Sequence, residues 1–147
     1  MESGQFEAVD AAPEVRDIQD LDVEQVVAVW HAAGVTRPWN DPRKDIAYAR
    51  RDTHSTILVA ARGDQVVATV MVGEDGHRGW AYYLAVDPAC QRSGLGRTMM
   101  AAAEDWLRAR GIWKVQLLVR EDNAPVKEFY DRLGYSDTRT TCFQKIL

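Results

Sequence analysis

The stretch Gln91-Arg92-Ser93-Gly94-Leu95-Gly96 constrains the fold of this chain more than any other. It joins an apolar run ending at Val86 to an amphipathic run starting at Leu95, so a strand must hand over to a helix within a few residues. A glycine-bearing turn at a helix start presents unpaired backbone N–H groups, and the helix dipole favours an anion there. Arg92 and Arg97 flank the first turn, and no acid follows until Glu104. Cations at that end oppose the dipole unless an external anion joins them. The segment therefore points to a phosphate-bearing ligand. The plainer alternative is a helix start with two glycines for tight packing.

Composition narrows the remaining classes. With 147 residues, 46% of them hydrophobic, the chain is long enough for one domain with a sizeable core. A net charge of -4 and the lack of a Lys/Arg-rich run argue against a nucleic-acid partner. The 2 cysteines, Cys90 and Cys142, lack metal-ligand spacing and suggest a reducing, cytoplasmic setting. No apolar run reaches membrane-spanning length, so no membrane partner is expected. Residues 1–13 are small, polar and acidic and are expected to be a disordered leader, with 14–147 a single domain.

Val15 and Ile18 fit a short first strand. Asp20 or Asp22 would cap a helix bearing Val23, Val26, Val27 and Trp30, which Gly34 ends. Asp41-Pro42 opens a second helix, with Asp as N-cap and Pro at the first helical position. Thr56 to Arg62 and Gln65 to Val72 are joined by Gly63-Asp64, a hairpin signal. Trp80 to Val86 is a third apolar run. The helix from Gly94 to Arg110 has Leu95, Met99, Ala102, Ala103, Trp106 and Leu107 on one face, and Gly111 stops it. Trp113 to Val119 reads as a strand. Asn123 caps a helix carrying Val126, Phe129, Tyr130 and Leu133, ended by Gly134. Tyr135 to Thr138 and Thr141 to Ile146 read as two closing strands. The order is β-α-α-β-β-β-α-β-α-β-β, an α/β chain with a mixed sheet.

This order and these residues resemble the GNAT superfamily of N-acetyltransferases, over about Glu14 to Leu147. The superfamily's Gln/Arg-x-x-Gly-x-Gly/Ala loop is met by Gln91, Arg92, Gly94 and Gly96. Its second mark is an Asn, a Tyr seven residues on, then Gly-Tyr/Phe. Asn123, Tyr130 and Gly134-Tyr135 meet it. Within the superfamily, Arg37-Pro38-Trp39-Asn40-Asp41-Pro42 and Asp75-Gly76-His77-Arg78-Gly79 resemble a small bacterial subgroup typified by YpeA.

The resemblance implies acetyl-CoA as cosubstrate, its pyrophosphate on backbone N–H groups of the loop Gln91, Arg92, Ser93, Gly94, Leu95, Gly96 and Arg97. It implies that the pantetheine arm pairs like an extra strand with Leu84, Ala85 and Val86, in a gap where the fourth and fifth strands splay at a bulge. Asn123 would bond the arm from the other side, and Tyr130 would aim its hydroxyl at the CoA sulfur. Direct transfer to an amine needs proximity, N–H donors for the oxyanion and a proton for sulfur. A backbone N–H at Leu84 or Ala85 would meet the oxyanion. Read without the resemblance, Tyr130 is a core aromatic and Asn123 a helix cap.

Many relatives place a Glu on the fourth or fifth strand, and this chain has no carboxylate on either. The candidate bases are Glu74, Asp75 and His77, or Tyr82 and Tyr83 through water. Each also has a plain reading as turn or solvated residue. Trp39 and Asp41 lie where the resemblance puts the acceptor loop. With Asp75 and His77 they are the candidate acceptor-binding residues; Trp39 as a lid and Asp41 as a cap are the alternatives. The expected acceptor is a small-molecule or peptide amine, with a homodimer left open and no metal expected. Cys90 lacks a partner base for covalent transfer. A dinucleotide-binding module fails at Met99, where the third glycine should stand. A phosphate-binding NTPase fails for lack of Gly-Lys-Ser/Thr. A non-catalytic acyl-CoA-binding or sensing module on the same fold remains the rival.

Overall fold

The computed structural model describes residues 12–147. The leader expected over residues 1–13 falls, up to residue 11, outside the described residues. The chain divides into two compact units, one running to Leu117 and one from Leu118 to Leu147.

The first unit is built from β1 (Glu14–Asp17), α1 (Val23–Ala32), α2 (Pro42–Ala49), β2 (Ser55–Arg62), β3 (Gln65–Glu74), β4 (Gly79–Val86), α3 (Leu95–Arg108) and β5 (Val115–Gln116). Its sheet has the order β1-β2-β3-β4-β5. The first four strands pair antiparallel, and β5 lies parallel to β4 after the α3 crossover. The second unit contains α4 (Ala124–Arg132).

Local chemistry explains the helix ends. Asp41 accepts from the backbone N–H of Arg43 (3.0 Å) and of Lys44 (3.3 Å), with Pro42 following it. That is the cap-then-proline start expected from the sequence. At the end of α3, Ile112 N–H donates to the Leu107 carbonyl (3.1 Å) and Gly111 N–H to that of Arg108 (3.0 Å). This closing pattern needs a residue at positive φ, and Gly111 takes 75°.

The sheet is covered on both faces. Ile57 and Val59 of β2 join Val26, Val27, Trp30, Ile46 and Ala49 in one cluster beneath α1 and α2. Alternation turns Leu58 and Ala60 to the opposite face, and α3 lies over β2, β3 and β4 with Leu95, Met99, Met100, Ala103 and Leu107 buried. At the start of β4 the approach of α3 is so close that a Cβ on Gly79 would lie 2.4 Å from Leu107 Cδ1.

Two expectations need correction. The fifth strand, expected from Trp113 to Val119, is confined to Val115–Gln116. Its pairing with β4 covers only Gly79↔Val115 and Trp80↔Gln116, so the two strands part there, the splay expected of them. The two closing strands, Tyr135 to Thr138 and Thr141 to Ile146, are not formed. Asp137 accepts from Arg139 N–H, and Arg139 takes φ 55°, which makes a turn there. Phe143 (93% exposed) and Ile146 (89%) have no surface burying them, so their apolar spacing does not select a ladder.

Candidate active site

The site starts with an irregularity in β4. Thr69↔Ala85 and Met71↔Tyr82 are partners, so Tyr83 and Leu84 together stand opposite the single residue Val70. This is a β-bulge, and Tyr83 takes φ 51° to make it. Below the bulge, Asp87 N–H donates to the Val67 carbonyl (2.8 Å). Antiparallel alternation then gives Ala85 the same sense, toward β3. The backbone groups of Leu84 and Val86 turn the other way. On that side β4 is paired to β5 only at its first two residues. Of the strand residues expected to meet a cofactor arm, Leu84 and Val86 offer backbone groups to the open side and Ala85 does not.

Directly after β4 comes the glycine-bearing loop. Asp87 caps a short turn, Pro88–Cys90, by accepting from Ala89 N–H (3.0 Å). Arg92 then takes φ 66° and Gly94 φ 79°. Gly94 is the N-cap of α3 and has no side chain to fold back onto the first-turn N–H groups. The first ladder bond of the helix is Thr98 N–H to the Gly94 carbonyl (3.0 Å). The backbone donors of Leu95, Gly96 and Arg97 precede it, with no acidic side chain in that turn. Gln91, Arg92, Ser93, Gly94 and Arg97 are exposed, while Leu95 anchors the turn in the core. Positive φ at a non-glycine residue stores strain, and such strain collects at ligand sites.

In the second unit, Asn123 caps α4, its Oδ1 accepting from Val126 N–H (3.3 Å). Tyr130 lies on the same helix, edge-on to Phe129 (5.0 Å) and to Tyr135 (5.5 Å). Burial pushes its hydroxyl up to about 12.

The residues expected on the acceptor side are dispersed. Asp75 lies in the turn before β4, at the end opposite the glycine-bearing loop. It accepts from the N–H groups of Arg78 (2.7 Å) and His77 (2.9 Å) and from Trp80 Nε1 (3.2 Å). These bonds, the Arg78 one foremost, hold its carboxyl below the usual carboxylate range. His77 is exposed beside it. Glu74 accepts from His54 Nδ1 (2.6 Å) and from Gly76 N–H (2.6 Å), which likewise hold its carboxyl low. Trp39 is 70% exposed, and Asp41 caps α2. The carboxylate that α2 does bring to β4 is Asp45, whose Oδ2 accepts from the Tyr83 hydroxyl (2.6 Å). Asp45 was not among the sequence candidates.

The sequence matches the acetyltransferase (GNAT) family over residues 16–135. The chain belongs to this family. The GNAT fold is also that of the solved structures it resembles. One is AAC(6')-Iy in complex with a bisubstrate analogue, CoA-S-monomethyl-acetylneamine: TM-score 0.79, 12% identity, covering 93% of this chain and 99% of that one. Another is the ribosomal-protein-S18-alanine N-acetyltransferase from Escherichia coli: TM-score 0.71, 24% identity, covering 82% of this chain and 76% of that one. A third is the aminoglycoside antibiotic 6'-N-acetyltransferase AAC(6')-IG from Acinetobacter haemolyticus: TM-score 0.75, 15% identity, covering 91% and 98%.

Membership of the GNAT family makes the chain an acyltransferase. The two least regular features of the first unit, the bulge and the helix start without a side-chain cap, follow each other closely in the chain. Sequence reasoning missed Tyr83 as a structural centre and Asp45 as its partner. One signal was there. In Trp80-Ala81-Tyr82-Tyr83-Leu84-Ala85-Val86, two adjacent aromatics break the two-residue period of a strand, as a bulge requires.

Proposed function

We propose that this chain is an acetyl-CoA-dependent N-acetyltransferase that moves an acetyl group directly to a primary amine. An α-amino group on a small molecule or peptide is the favoured acceptor. In this reading residues 14–147 work as one catalytic domain in the cytoplasm, of the bacterial subgroup typified by YpeA. The observation that carries it is a bulged, half-unpaired β4 running straight into a helix start that has no cap of its own.

The residues present fit acetyl-CoA. A pyrophosphate matches the Arg92-to-Arg97 donors, where Gly94 brings no side chain and no acid opposes it. The amides of the pantetheine arm match the backbone of Leu84 and Val86 on the open side of β4. Asn123 is assigned to the arm as well, since its cap uses only Oδ1. Bound acetyl-CoA supplies an acetyl group activated as a thioester. The Leu84 N–H stabilises negative charge on the acyl oxygen. Tyr130 donates its hydroxyl hydrogen at sulfur.

The base is the step that selects the acceptor. No carboxylate sits on β4 or β5. Asp75 and Glu74 are stabilised as anions by the groups around them and are poor proton acceptors near neutral pH. An amine that is already partly neutral suits such a site. A lysine side chain has a pKa of about 10.4 and an α-amine one of about 7.7 to 8.0. Water then carries the proton away. Trp39, Asp41, Asp75 and His77 remain the proposed acceptor contacts, acting by shape and charge.

Matched α-amine and lysine-type acceptors, compared from pH 6 to 9 in the parent and in Asp75→Asn and His77→Gln, test this reading. The expected result is an α-amine preference at pH 7 and near-parental kcat in both variants, with any loss confined to KM for the acceptor. A preference for the lysine amine, or a large loss of kcat in either variant, defeats the water-relay reading. CoA binding without transfer to any amine defeats the enzyme reading and favours the acyl-CoA-binding module.

A further inference from the structure

Tyr83, the residue that makes the bulge, is held at three points. Its ring lies flat against Trp30, with centroids 3.8 Å apart and planes 5° from parallel. Its carbonyl accepts from Thr69 Oγ1 (3.0 Å), and Trp30 Nε1 donates to the same Oγ1 (2.9 Å). Its hydroxyl donates to Asp45 Oδ2 (2.6 Å). Trp30 and Thr69 are both 0% exposed. Two buried polar groups are thus spent on fixing one peptide unit. A phenylalanine would fill the same stack. The hydroxyl adds only the tie to Asp45, at the cost of taking a phenol and a carboxylate partly out of water.

The tie has a direction. Asp45 lies on α2, whose N-cap, Asp41, belongs to the loop read as the acceptor side. Leu84, whose N–H is assigned to the acyl oxygen, is the residue after Tyr83. We propose that Tyr83 is a positioning residue for acetyl transfer, and that its bond to Asp45 couples the acceptor-side helix to the backbone donor in β4. The inference rests on the acetyltransferase reading. Held on all sides, a backbone in an unfavourable φ keeps its donor aimed; released, it relaxes toward regular pairing and the donor loses alignment in the transition state.

The experiment uses the full chain with its best amine acceptor. Tyr83→Phe keeps the Trp30 stack and the Thr69 bond, and Asp45→Ala removes the acceptor while keeping the helix. Each is expected to lower kcat about tenfold, the rate equivalent of one hydrogen bond lost in the transition state. KM for acetyl-CoA and the CoA-induced thermal shift stay at parental values. The double variant is no slower than the singles, because both remove the same tie. Singles within twofold of the parent, additive losses, or losses that track a fall in melting temperature overturn the positioning role alone. Should Tyr83→Phe fold poorly, Asp45→Ala carries the test, and poor folding of both counts against the proposal. A parent that binds CoA and acetylates no amine overturns the proposed function and this inference with it.

Discussion

Tyr130 keeps its proton far above neutral pH, because burial raises its hydroxyl from the ordinary 10.0 to about 12. The shift has a chemical consequence. A thiol has a pKa of about 8.5, so complete proton transfer from such a phenol to a thiolate is uphill. In the proposed reaction Tyr130 therefore works chiefly as a hydrogen-bond donor to charge developing on sulfur. Tyr130→Phe is expected to lower turnover by roughly 10²-fold or more with CoA affinity unchanged. Unchanged turnover, with chemistry rate-limiting, returns Tyr130 to a packing role. The sign of the pH effect follows from the same shift. The neutral phenol's contribution to stability is fully present below 10.0 and is lost as pH rises through about 12. A rate profile with an alkaline limb near pH 9 must have another source. Tyr130 and Asn123 were legible as letters of a motif. Tyr83 and Asp45 were not, because they are 38 residues apart and only the sheet brings them together.

Two elements carry testable chemistry. In the proposed reading the start of α3 binds the pyrophosphate through backbone N–H groups, so Gly96→Glu adds a negative charge where an anion is expected. CoA affinity is expected to fall strongly while the unliganded fold persists, as read by calorimetry and circular dichroism. Unchanged CoA affinity rejects the loop assignment. The turn leading into α1 rests on Asp22, which is 0% exposed and accepts from Arg16 Nη1 (2.6 Å) and from Gln19 N–H (2.8 Å). The Arg16 bond holds its carboxyl below the ordinary 3.8. Its stabilising effect is present above 3.8 and is lost as pH falls through the lower folded value. Asp22→Ala leaves Arg16 without its buried partner and is expected to cost about 3 kcal/mol in urea unfolding. A cost below about 1 kcal/mol means that Arg16 finds water instead. Elements set by local chemistry were the legible ones. Asp41-Pro42, Gly111 and Asn123 each mark a helix boundary where the structure has one. The fifth strand and the closing pair failed, because a strand needs a partner as well as a pattern, and pairing is decided elsewhere in the chain.

At the scale of the molecule, ligand binding should be visible as stability. A ligand that binds only the folded state at 100 times its Kd adds about 2.7 kcal/mol. For a chain of this size that is roughly 5–10 °C in melting temperature. CoA is expected to produce it and NAD is not. Stabilisation by NAD without CoA overturns the cosubstrate assignment. Among the described residues no helix is long and apolar enough to cross a membrane.

The bulge makes the chain one residue longer than its own sheet requires. Thr69 faces α1, as do its partner Ala85 and, on the other side of the irregularity, Tyr82 and Tyr83. Removing Tyr83 would leave Tyr82, Leu84 and Ala85 in unbroken alternation, with every other side chain of β4 still on its present face. A shortened chain could thus regain a continuous ladder between β3 and β4. It would lose the grip of Trp30, Thr69 and Asp45 on the strand. The spare residue is a misfit in the count of the strand: the pairing would be more regular without it, while Leu84 and Val86 would still turn to the same side.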